Sequence, residues 1–139
     1  MSLRDLFDDV IRTEVLLWAA VDARLRADCD LPVGTLDVLR VIERTPDCRV
    51  QEVAEALGIT VGGASQAVDR VERRGLCARR PNPKNRRSSV LELTPEGSTA
   101  LEQALHTFDA ELAARFSALS PPQITALGDA LRTLRASLT

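Results

Sequence analysis

The fold of this chain is constrained most by two short amphipathic segments separated by a glycine. The first segment, residues 50–57, carries its apolar residues at helical spacing, at Val50, Val53, Ala54 and Leu57. Gly58 then ends the helix, because glycine readily takes the left-handed conformation that follows a helix C-terminus. The second segment, "TVGGASQAVDRVERRG", begins at Thr60, a favoured N-cap residue, and ends at Gly75.

The second segment has one apolar face and one polar face. Its apolar residues recur at steps of three and four, at Val61, Ala64, Val68 and Val71. The opposite face carries small, polar and charged residues, namely Gly62, Ser65, Gln66, Asp69, Arg70 and Arg73. A short helix, a turn that contains glycine and a second helix with a polar outer face predict a helix-turn-helix.

A β-hairpin is predicted directly after the second helix. Two short extended segments, "LCARR" and "SVLEL", flank the stretch "PNPKNRRS" at residues 81–88. The prolines and asparagines of this stretch exclude a helix and favour a turn-rich loop. A helix-turn-helix followed by a hairpin is a winged helix, so we predict a mainly α fold with a small β-hairpin wing.

The basic residues are concentrated in one region, although the whole chain has a formal net charge of −2. Between Arg70 and Arg87, eight basic residues stand against one acid, Glu72, which gives +7 locally and −9 (−2 − 7) for the rest. Such a block is an electrostatic footprint for phosphates even in an acidic chain. Taken alone, the basic residues could also form a solvated charged loop with no binding role. The adjoining helix-turn-helix favours phosphate binding over that alternative.

Amphipathic helices are predicted at both ends of the chain. The first covers about residues 3–28, and the last begins as a capping box at Ser120 and Gln123. Apolar residues of the last helix follow a coiled-coil-like spacing at Ile124, Leu127, Leu131, Leu134 and Leu138. Because too little chain surrounds these helices to bury their apolar stripes, we predict a C2 homodimer in which the first, fifth and sixth helices interleave. A monomer whose ends pack on the winged helix is the alternative.

At 139 residues the chain is predicted to form one domain. The winged helix-turn-helix covers about residues 34–93, and the dimerisation helices cover about 3–28 and 95–138. Thr94 as N-cap and Pro95 at the first helical position mark where the second dimerisation part begins.

Composition and motifs argue against several other classes of protein. No run of about 18 apolar residues predicts a membrane span, and the acidic N-terminus is unlike a signal peptide, so we expect a cytoplasmic protein. Three scattered cysteines and one histidine predict neither a disulfide framework nor a metal site, and we expect no cofactor. Nucleophile-elbow, P-loop and zinc-protease motifs are absent, so we predict that the chain is not an enzyme.

Two stretches, "VDRVERRGLCARR" (68–80) and "NPKNRRSSVLELTPEG" (82–97), resemble the MarR family of bacterial transcriptional regulators. The resemblance covers nearly the whole chain. The second stretch is similar to the family's wing signature of Asp-x-Arg followed by a Leu-Thr-x-x-Gly helix start, which implies that Arg87 is the minor-groove arginine. Asn85 stands where the family usually has the aspartate that braces this arginine, so a neutral hydrogen bond is expected in place of a salt bridge.

The resemblance implies a homodimer that binds double-stranded DNA at a pseudo-palindromic operator, most commonly as a repressor. The second helix of a helix-turn-helix enters the major groove. The predicted contacts of this recognition helix are Thr60, Val61, Gly62, Gly63, Ser65, Gln66, Arg70 and Arg73. Among them, Gln66 is expected to form two hydrogen bonds with an adenine, whereas Arg70 and Arg73 are expected to contact phosphates. The predicted contacts of the wing are Lys84, Asn85, Arg86, Arg87 and Ser88.

The resemblance also implies a small-molecule effector. Members of the family commonly bind small phenolic or other amphipathic ligands between the dimer helices and the winged domain, and Trp18 is the candidate lining residue here. A redox-sensing regulator of the same fold that uses Cys29, Cys48 or Cys77 is one alternative function. A winged helix that binds proteins is another, and the basic block favours DNA over it.

Overall fold

The computed structural model describes all 139 residues as six α-helices and one two-stranded antiparallel sheet. In chain order the elements are α1 (Leu3–Cys29), α2 (Val33–Arg44), α3 (Val50–Leu57), α4 (Val61–Arg73), β1 (Cys77–Asn82), β2 (Asn85–Leu93), α5 (Pro95–Phe116) and α6 (Pro121–Leu138). The helix-turn-helix comprises α3 and α4, and β1 and β2 form the wing. This architecture confirms the predicted fold class.

Four helices, α1, α4, α5 and α6, begin where hydroxyl side chains accept backbone N–H groups. Thr60 caps α4 and Thr94 caps α5, each accepting the N–H of the residue three positions on at 3.0 Å. Ser120 and Gln123 form the predicted capping box at the start of α6. These caps satisfy N–H groups that have no partner within the helix, and they fix each helix start at the position that the sequence indicated.

Two glycines end the helices of the helix-turn-helix. Gly58 follows α3 with a φ of 65°, and Gly75 follows α4 with a φ of 73°. Both values lie in the left-handed region, which glycine adopts without the steric cost of a Cβ atom. The turn before α4 and the entry into the wing therefore both depend on glycine.

The hydrophobic core lies within the winged helix. Leu36 of α2, Val53 of α3 and Val68 of α4 are fully buried at its centre. The wing closes one side, since Leu91 of β2 is buried and donates its N–H to the carbonyl of Cys48 at 2.6 Å. The C-terminal half of α1 and the N-terminal half of α5 complete the core with Val21, Leu25, Leu101 and Ala104.

Helix α5 begins in close contact with the chain that follows α4. The carbonyl oxygen of Leu76 accepts the N–H of Thr94 at 3.1 Å. A Cβ atom at Gly97 would lie 1.8 Å from the same oxygen, which is closer than any side chain can approach. Gly97 therefore permits α5 to leave the winged helix at this point.

The wing strands are longer than the sequence indicated. The sequence predicts a loop over residues 81–88, yet β1 continues to Asn82 and β2 begins at Asn85, so only Pro83 and Lys84 lie between the strands. A proline is compatible with a two-stranded sheet, because both strands are edges and the missing N–H can lie on the unpaired side. Pro81 accordingly pairs with Ser89.

Two apolar surfaces near the chain ends are not covered. Only Val21 and Leu25 of α1 are buried, and its earlier apolar residues are exposed, namely Leu3, Leu6, Phe7, Val10, Ile11, Val15, Leu16 and Trp18. Helix α6 has no buried residue, and its five seam residues are 41–76% exposed. None of the six helices has the length and apolar character of a membrane span.

Candidate nucleic-acid interface

The outer face of α4 presents a row of polar side chains. Gln66, Arg70 and Arg73 follow one another at helical spacing, and all three are exposed. Arg73 Nε donates to the carbonyl oxygen of Asp69 at 3.3 Å, which leaves the rest of its guanidinium in solvent. Ser65 is half-buried beside this row. The row offers one amide for base edges and two cations for phosphates.

The first turn of α4 has an open backbone. A Cβ atom at Gly62 would meet nothing within 4 Å, and Gly62 and Val61 are both exposed. Gly63 differs, since a Cβ atom there would lie 3.2 Å from Oγ1 of Thr60, the atom that caps the helix. Packing within the chain therefore gives no reason for glycine at position 62.

The arginines of the wing lie in a β-bulge. Pro81 pairs with Ser89 and Asn82 pairs with Asn85, so residues 86–88 of β2 have no partner on β1. Bulges redirect side chains away from the regular sheet. Arg86 and Arg87 are both exposed.

Two asparagines hold the backbone of this bulge. Asn85 Oδ1 accepts the N–H of Arg87 at 3.0 Å, and Asn82 Oδ1 accepts the N–H of Lys84 at 3.0 Å. Asn82 Nδ2 also donates to Oγ of Ser88 at 2.9 Å. Asn85 therefore stabilises the turn through the main chain of Arg87 rather than through its guanidinium, and the arginine side chain is left without an internal partner.

One arginine of the basic block joins the wing to the recognition helix. The guanidinium of Arg79 on β1 lies 2.8 Å from Oδ1 of Asp69 and 2.7 Å from Oε1 of Glu72, both on α4. The N–H of Arg79 also donates to Glu72 at 3.2 Å. This brace was not predicted from the sequence, although two acids three positions apart on α4, shortly before an arginine on the wing, were a signal for it.

Two further arginines of the block are paired. Arg80 Nε donates to Glu92 on β2 at 2.9 Å, and a second nitrogen of Arg80 lies 3.5 Å from Asp47. Arg74 lies 3.9 Å from Asp30, the residue that follows α1. Arg80 thus ties the two wing strands to the connection between α2 and α3.

Five of the eight basic residues in the block form no ion pair, because Arg74, Arg79 and Arg80 are the three that do. The five are Arg70, Arg73, Lys84, Arg86 and Arg87. All are exposed, and all lie on the recognition helix or the wing. These positive charges are therefore available to an anionic partner such as a phosphate backbone.

Trp18 is 49% exposed and lines two clefts. The larger, of about 600 Å³, lies between α1, α2 and α4, and Arg26, Arg70 and Arg74 line it. The smaller, of about 190 Å³, lies between α1, α2 and α5. The structure thus places Trp18 where a small molecule could contact it.

Two of the three cysteines have little thiolate character. Cys48 and Cys77 are buried, and burial raises the pKa of each thiol to about 11. Thiolates are the reactive form, so these two residues are poor candidates for a redox sensor. Cys29 is half-buried, and its sulfur lies 3.5 Å from Oγ1 of Thr107. No group of His, Cys, Asp and Glu side chains has the arrangement of a metal site.

The chain is similar in sequence and in structure to known transcriptional regulators. The MarR family model matches residues 30–88. The crystal structure of Sco3205, a MarR family transcriptional regulator from Streptomyces coelicolor in complex with DNA, superposes with a TM-score of 0.88 at 27% identity, covering 98% of this chain and 90% of that one. The multiple antibiotic resistance protein MarR of Salmonella typhimurium is 26% identical over 108 residues, which are 73% of this chain and 75% of the relative.

A further relative is the uncharacterized HTH-type transcriptional regulator YkoM of Bacillus subtilis, which is 28% identical over 86 residues. The alignment covers 62% of this chain and 56% of YkoM, so the chain spans little more than half the length of that relative. The residues matched by the family model contain the helix-turn-helix and most of the wing, and the structural match extends through the terminal helices. By sequence over residues 30–88, and by structure over nearly its whole length, the chain is similar to transcriptional regulators of the MarR family.

Proposed function

We propose that this protein is a sequence-specific regulator of transcription that binds double-stranded DNA as a homodimer. The observation that carries the proposal is the set of five exposed cations without ion-pair partners on α4 and the wing. A chain with a net charge of −2 keeps these charges unpaired on the two elements with which winged helices contact DNA.

In this proposal α4 lies in the major groove. Its first turn approaches the base edges, where Gly62 leaves room for the DNA and Val61 meets a thymine methyl group. Gln66 reads an adenine through its amide, whose N–H donates to N7 and whose oxygen accepts from the N6 amino group in a bidentate pair. Arg70 and Arg73, further along the helix, bind phosphates and set the register.

The wing contacts a flanking minor groove. Arg87, with Arg86 beside it, is attracted most strongly where A·T tracts narrow the groove and strengthen its negative potential. The hydrogen bonds of Asn82 and Asn85 hold the wing backbone, so these arginines are presented from a defined turn. Lys84 and Ser88 serve as backbone contacts.

The homodimer is supported by the two uncovered apolar surfaces on α1 and α6. Exposed apolar stripes of this length are typical of interfaces. A second copy of the chain that pairs the same surfaces through a twofold axis would bury both and would present two recognition helices to a pseudo-palindromic site.

We further propose that the regulator is a cytoplasmic repressor that responds to a small amphipathic effector, phenolic or otherwise, bound beside Trp18. Both clefts at Trp18 touch α2 of the winged helix as well as α1. A ligand that binds there contacts both parts of the molecule and can shift the angle between them, which changes the spacing of the two recognition helices.

The test is selection of bound fragments from the genome of the source organism, followed by fluorescence anisotropy with the selected duplex over a salt series. We expect one enriched pseudo-palindromic motif and a steep, linear fall of log affinity with log salt. Absence of any enriched motif, together with no affinity for duplex DNA at low salt, would overturn the proposal and favour a winged helix that binds proteins.

A further inference from the structure

Helix α2, the first helix of the winged helix, is capped by a residue of α1. The Oδ1 atom of Asp22 accepts the N–H of Val33, the first residue of α2, at 2.9 Å. The N-cap position of α2 is Pro32, whose side chain cannot accept a hydrogen bond, and the first turn of α2 contains no acid. A carboxylate at this place satisfies a free N–H group and interacts favourably with the helix dipole. The start of α2 is therefore bound to α1 through one carboxylate.

The second oxygen of this carboxylate is held within α1. The Nε atom of Arg26, one turn further along the helix, donates to Oδ2 of Asp22 at 2.7 Å. Asp22 is half-buried, and the N–H of Val33 is the main reason that its pKa lies below the ordinary value. Each oxygen thus has one partner, and the two partners lie on different helices. This arrangement fixes the direction of the bond from α1 to α2.

The remaining contacts of α1 with the core of the winged helix are apolar. Val21 and Leu25 are buried in the core that α2, α3 and α4 share. Apolar burial holds the two parts together without a preferred direction, whereas a hydrogen bond requires a defined distance and angle. The bond between Val33 and Asp22 is therefore the contact that specifies how α2 is oriented on α1.

Helices α1 and α5 are joined to each other as one unit. Glu111 of α5, the only buried charged residue, accepts a hydrogen bond from Arg24 of α1 at 3.1 Å and one from Arg115 at 2.7 Å. The winged helix is attached to this unit at the start of α5, where Gly97 lies against the carbonyl of Leu76, and at the start of α2. With the first attachment as a pivot, the second one sets the angle between the two parts.

The recognition helix has room to move about this pivot. Leu76 lies just beyond the C-terminal end of α4, whose 13 residues span about 20 Å. At the other end of α4, Gly63 in the first turn lines the open cleft of about 600 Å³ whose opposite side includes Trp18 of α1. A rotation of about 10° moves this first turn by roughly 3 Å, which is close to the spacing of one base pair along DNA.

We propose that Asp22 is a positioning residue for DNA binding, and that its bond to the start of α2 sets the spacing at which the two recognition helices of a dimer bind their half-sites. The inference rests on the proposed function and adds a determinant of operator geometry to the residues that read bases. Asp22 acts through α2 and does not contact DNA.

Three variants separate the bond to α2 from the other properties of Asp22. Asp22→Ala removes the acceptor, whereas Asp22→Asn retains it, because asparagine caps helices about as well as aspartate does. Asp28→Ala is the matched control. Asp28 also lies on α1 and pairs with an arginine four positions away, Arg24, but it forms no hydrogen bond with α2.

Fluorescence anisotropy is measured with three duplexes: the selected operator, the same operator with its half-sites one base pair further apart, and a single half-site. Asp22→Ala should bind the operator about fivefold more weakly, the loss expected for one helix cap, because the angle is no longer preorganised for the correct spacing. Its discrimination against the altered spacing should fall at least about threefold, and its affinity for the half-site should not change. Asp22→Asn and Asp28→Ala should match the original protein on all three duplexes.

A role in stability alone would lower the affinity for the three duplexes in equal proportion, so that result would overturn the inference. An unchanged spacing preference in Asp22→Ala, or a changed one in Asp28→Ala, would also overturn it. The same loss in Asp22→Asn as in Asp22→Ala would assign the effect to charge and contradict the role of the bond. These outcomes leave DNA binding by the original protein intact, whereas its failure to bind any duplex contradicts the proposed function and the inference together.

Discussion

Arg79 on the first strand of the wing forms an ion pair with Glu72 on the recognition helix, with 2.7 Å between Nη1 and Oε1. A second nitrogen of the same guanidinium lies 2.8 Å from Asp69, one turn earlier on α4. The arginine therefore spans two acids on one face of the helix that is proposed to read DNA. It acts within the protein, in contrast to Arg73 on α4 and Arg87 on the wing, which form no ion pair.

Replacing Arg79 with methionine should separate this internal role from a DNA contact. We expect the free energy of unfolding to fall by about 0.5–1.5 kcal/mol, because two partly exposed carboxylates lose their partner while the methionine keeps the aliphatic contacts. Urea denaturation measures the change. Arg73→Met, at an exposed and unpaired position on the same helix, is the control and should leave stability unchanged while lowering the salt dependence of DNA binding. The reverse pattern for the two variants would show that Arg79 contacts DNA directly.

Arg87→Ala should weaken binding to all duplexes and reduce the slope of log affinity against log salt by about one per subunit. The side chain of Arg87 forms no ion pair, and its main chain is held by Asn85, so stability should not change. Arg135→Ala, an exposed arginine on α6, removes the same charge far along the chain from the wing. Anisotropy over a salt series compares the two. An unchanged slope for Arg87→Ala would exclude the wing from the interface.

Two glycine substitutions should have opposite effects on stability. Gly62→Ala places a methyl group in open space on α4 and should stabilise the protein by about 0.5 kcal/mol through higher helix propensity. Gly97→Ala places a methyl group against the carbonyl oxygen of Leu76 and should destabilise it by about 2 kcal/mol or more. Thermal unfolding gives both values.

The DNA affinity of Gly62→Ala is the more informative result. If the backbone of Gly62 approaches DNA closely, the methyl group lowers affinity in a protein that has become more stable. Equal affinity in the two proteins would mean that the glycine serves neither packing nor DNA approach.

The sequence predicted those features that depend on neighbouring residues. Caps at Thr60, Thr94 and Ser120 and the helix ends at Gly58 and Gly75 use side chains and backbone within a few positions of each other, so the spacing of residue types reveals them. Helices α1 and α3 accordingly begin and end within one position of the predicted bounds.

The charge pattern was less informative, because the summed charge of a segment does not show which of its residues form ion pairs with other elements. The block between Arg70 and Arg87 sums to +7, yet Arg79 and Arg80 lie against acids that the fold brings from α4, β2 and the connection before α3. The bulge at residues 86–88 could not be predicted from the sequence either. Its register is set by how the two strands pair, while the sequence shows only that prolines and asparagines are present.

Gln66→Ala should relax base preference at one symmetric pair of positions in the operator, at a cost of about 1–3 kcal/mol in discrimination. Gln66 is exposed on the outer face of α4, so the substitution should not alter stability. Selection from a randomised operator library compares the motifs of the two proteins. Gln103→Ala, the same change at an exposed position of α5, should give the original motif, and an identical motif for Gln66→Ala would contradict its role as a base reader.

Leu131→Glu should convert the proposed dimer into monomers. Leu131 lies in the middle of the α6 seam and is 44% exposed, and no residue of α6 is buried within one copy of the chain. The substitution therefore leaves the fold of the single chain intact, while in a dimer it places a charge in an apolar interface at two symmetric positions.

The dissociation constant of the dimer should rise by at least about a hundredfold, because each copy loses roughly 1.5–3 kcal/mol of leucine burial. Sedimentation velocity at micromolar concentration measures the change, and DNA affinity should fall with it because the two half-sites are then bound independently. Thr133→Glu is the control, since it adds the same charge to α6 outside the 3-4 seam and should remain dimeric. A monomeric original protein, or a Leu131→Glu variant with an unchanged dissociation constant, would show that the apolar surface of α6 does not join two copies of the chain.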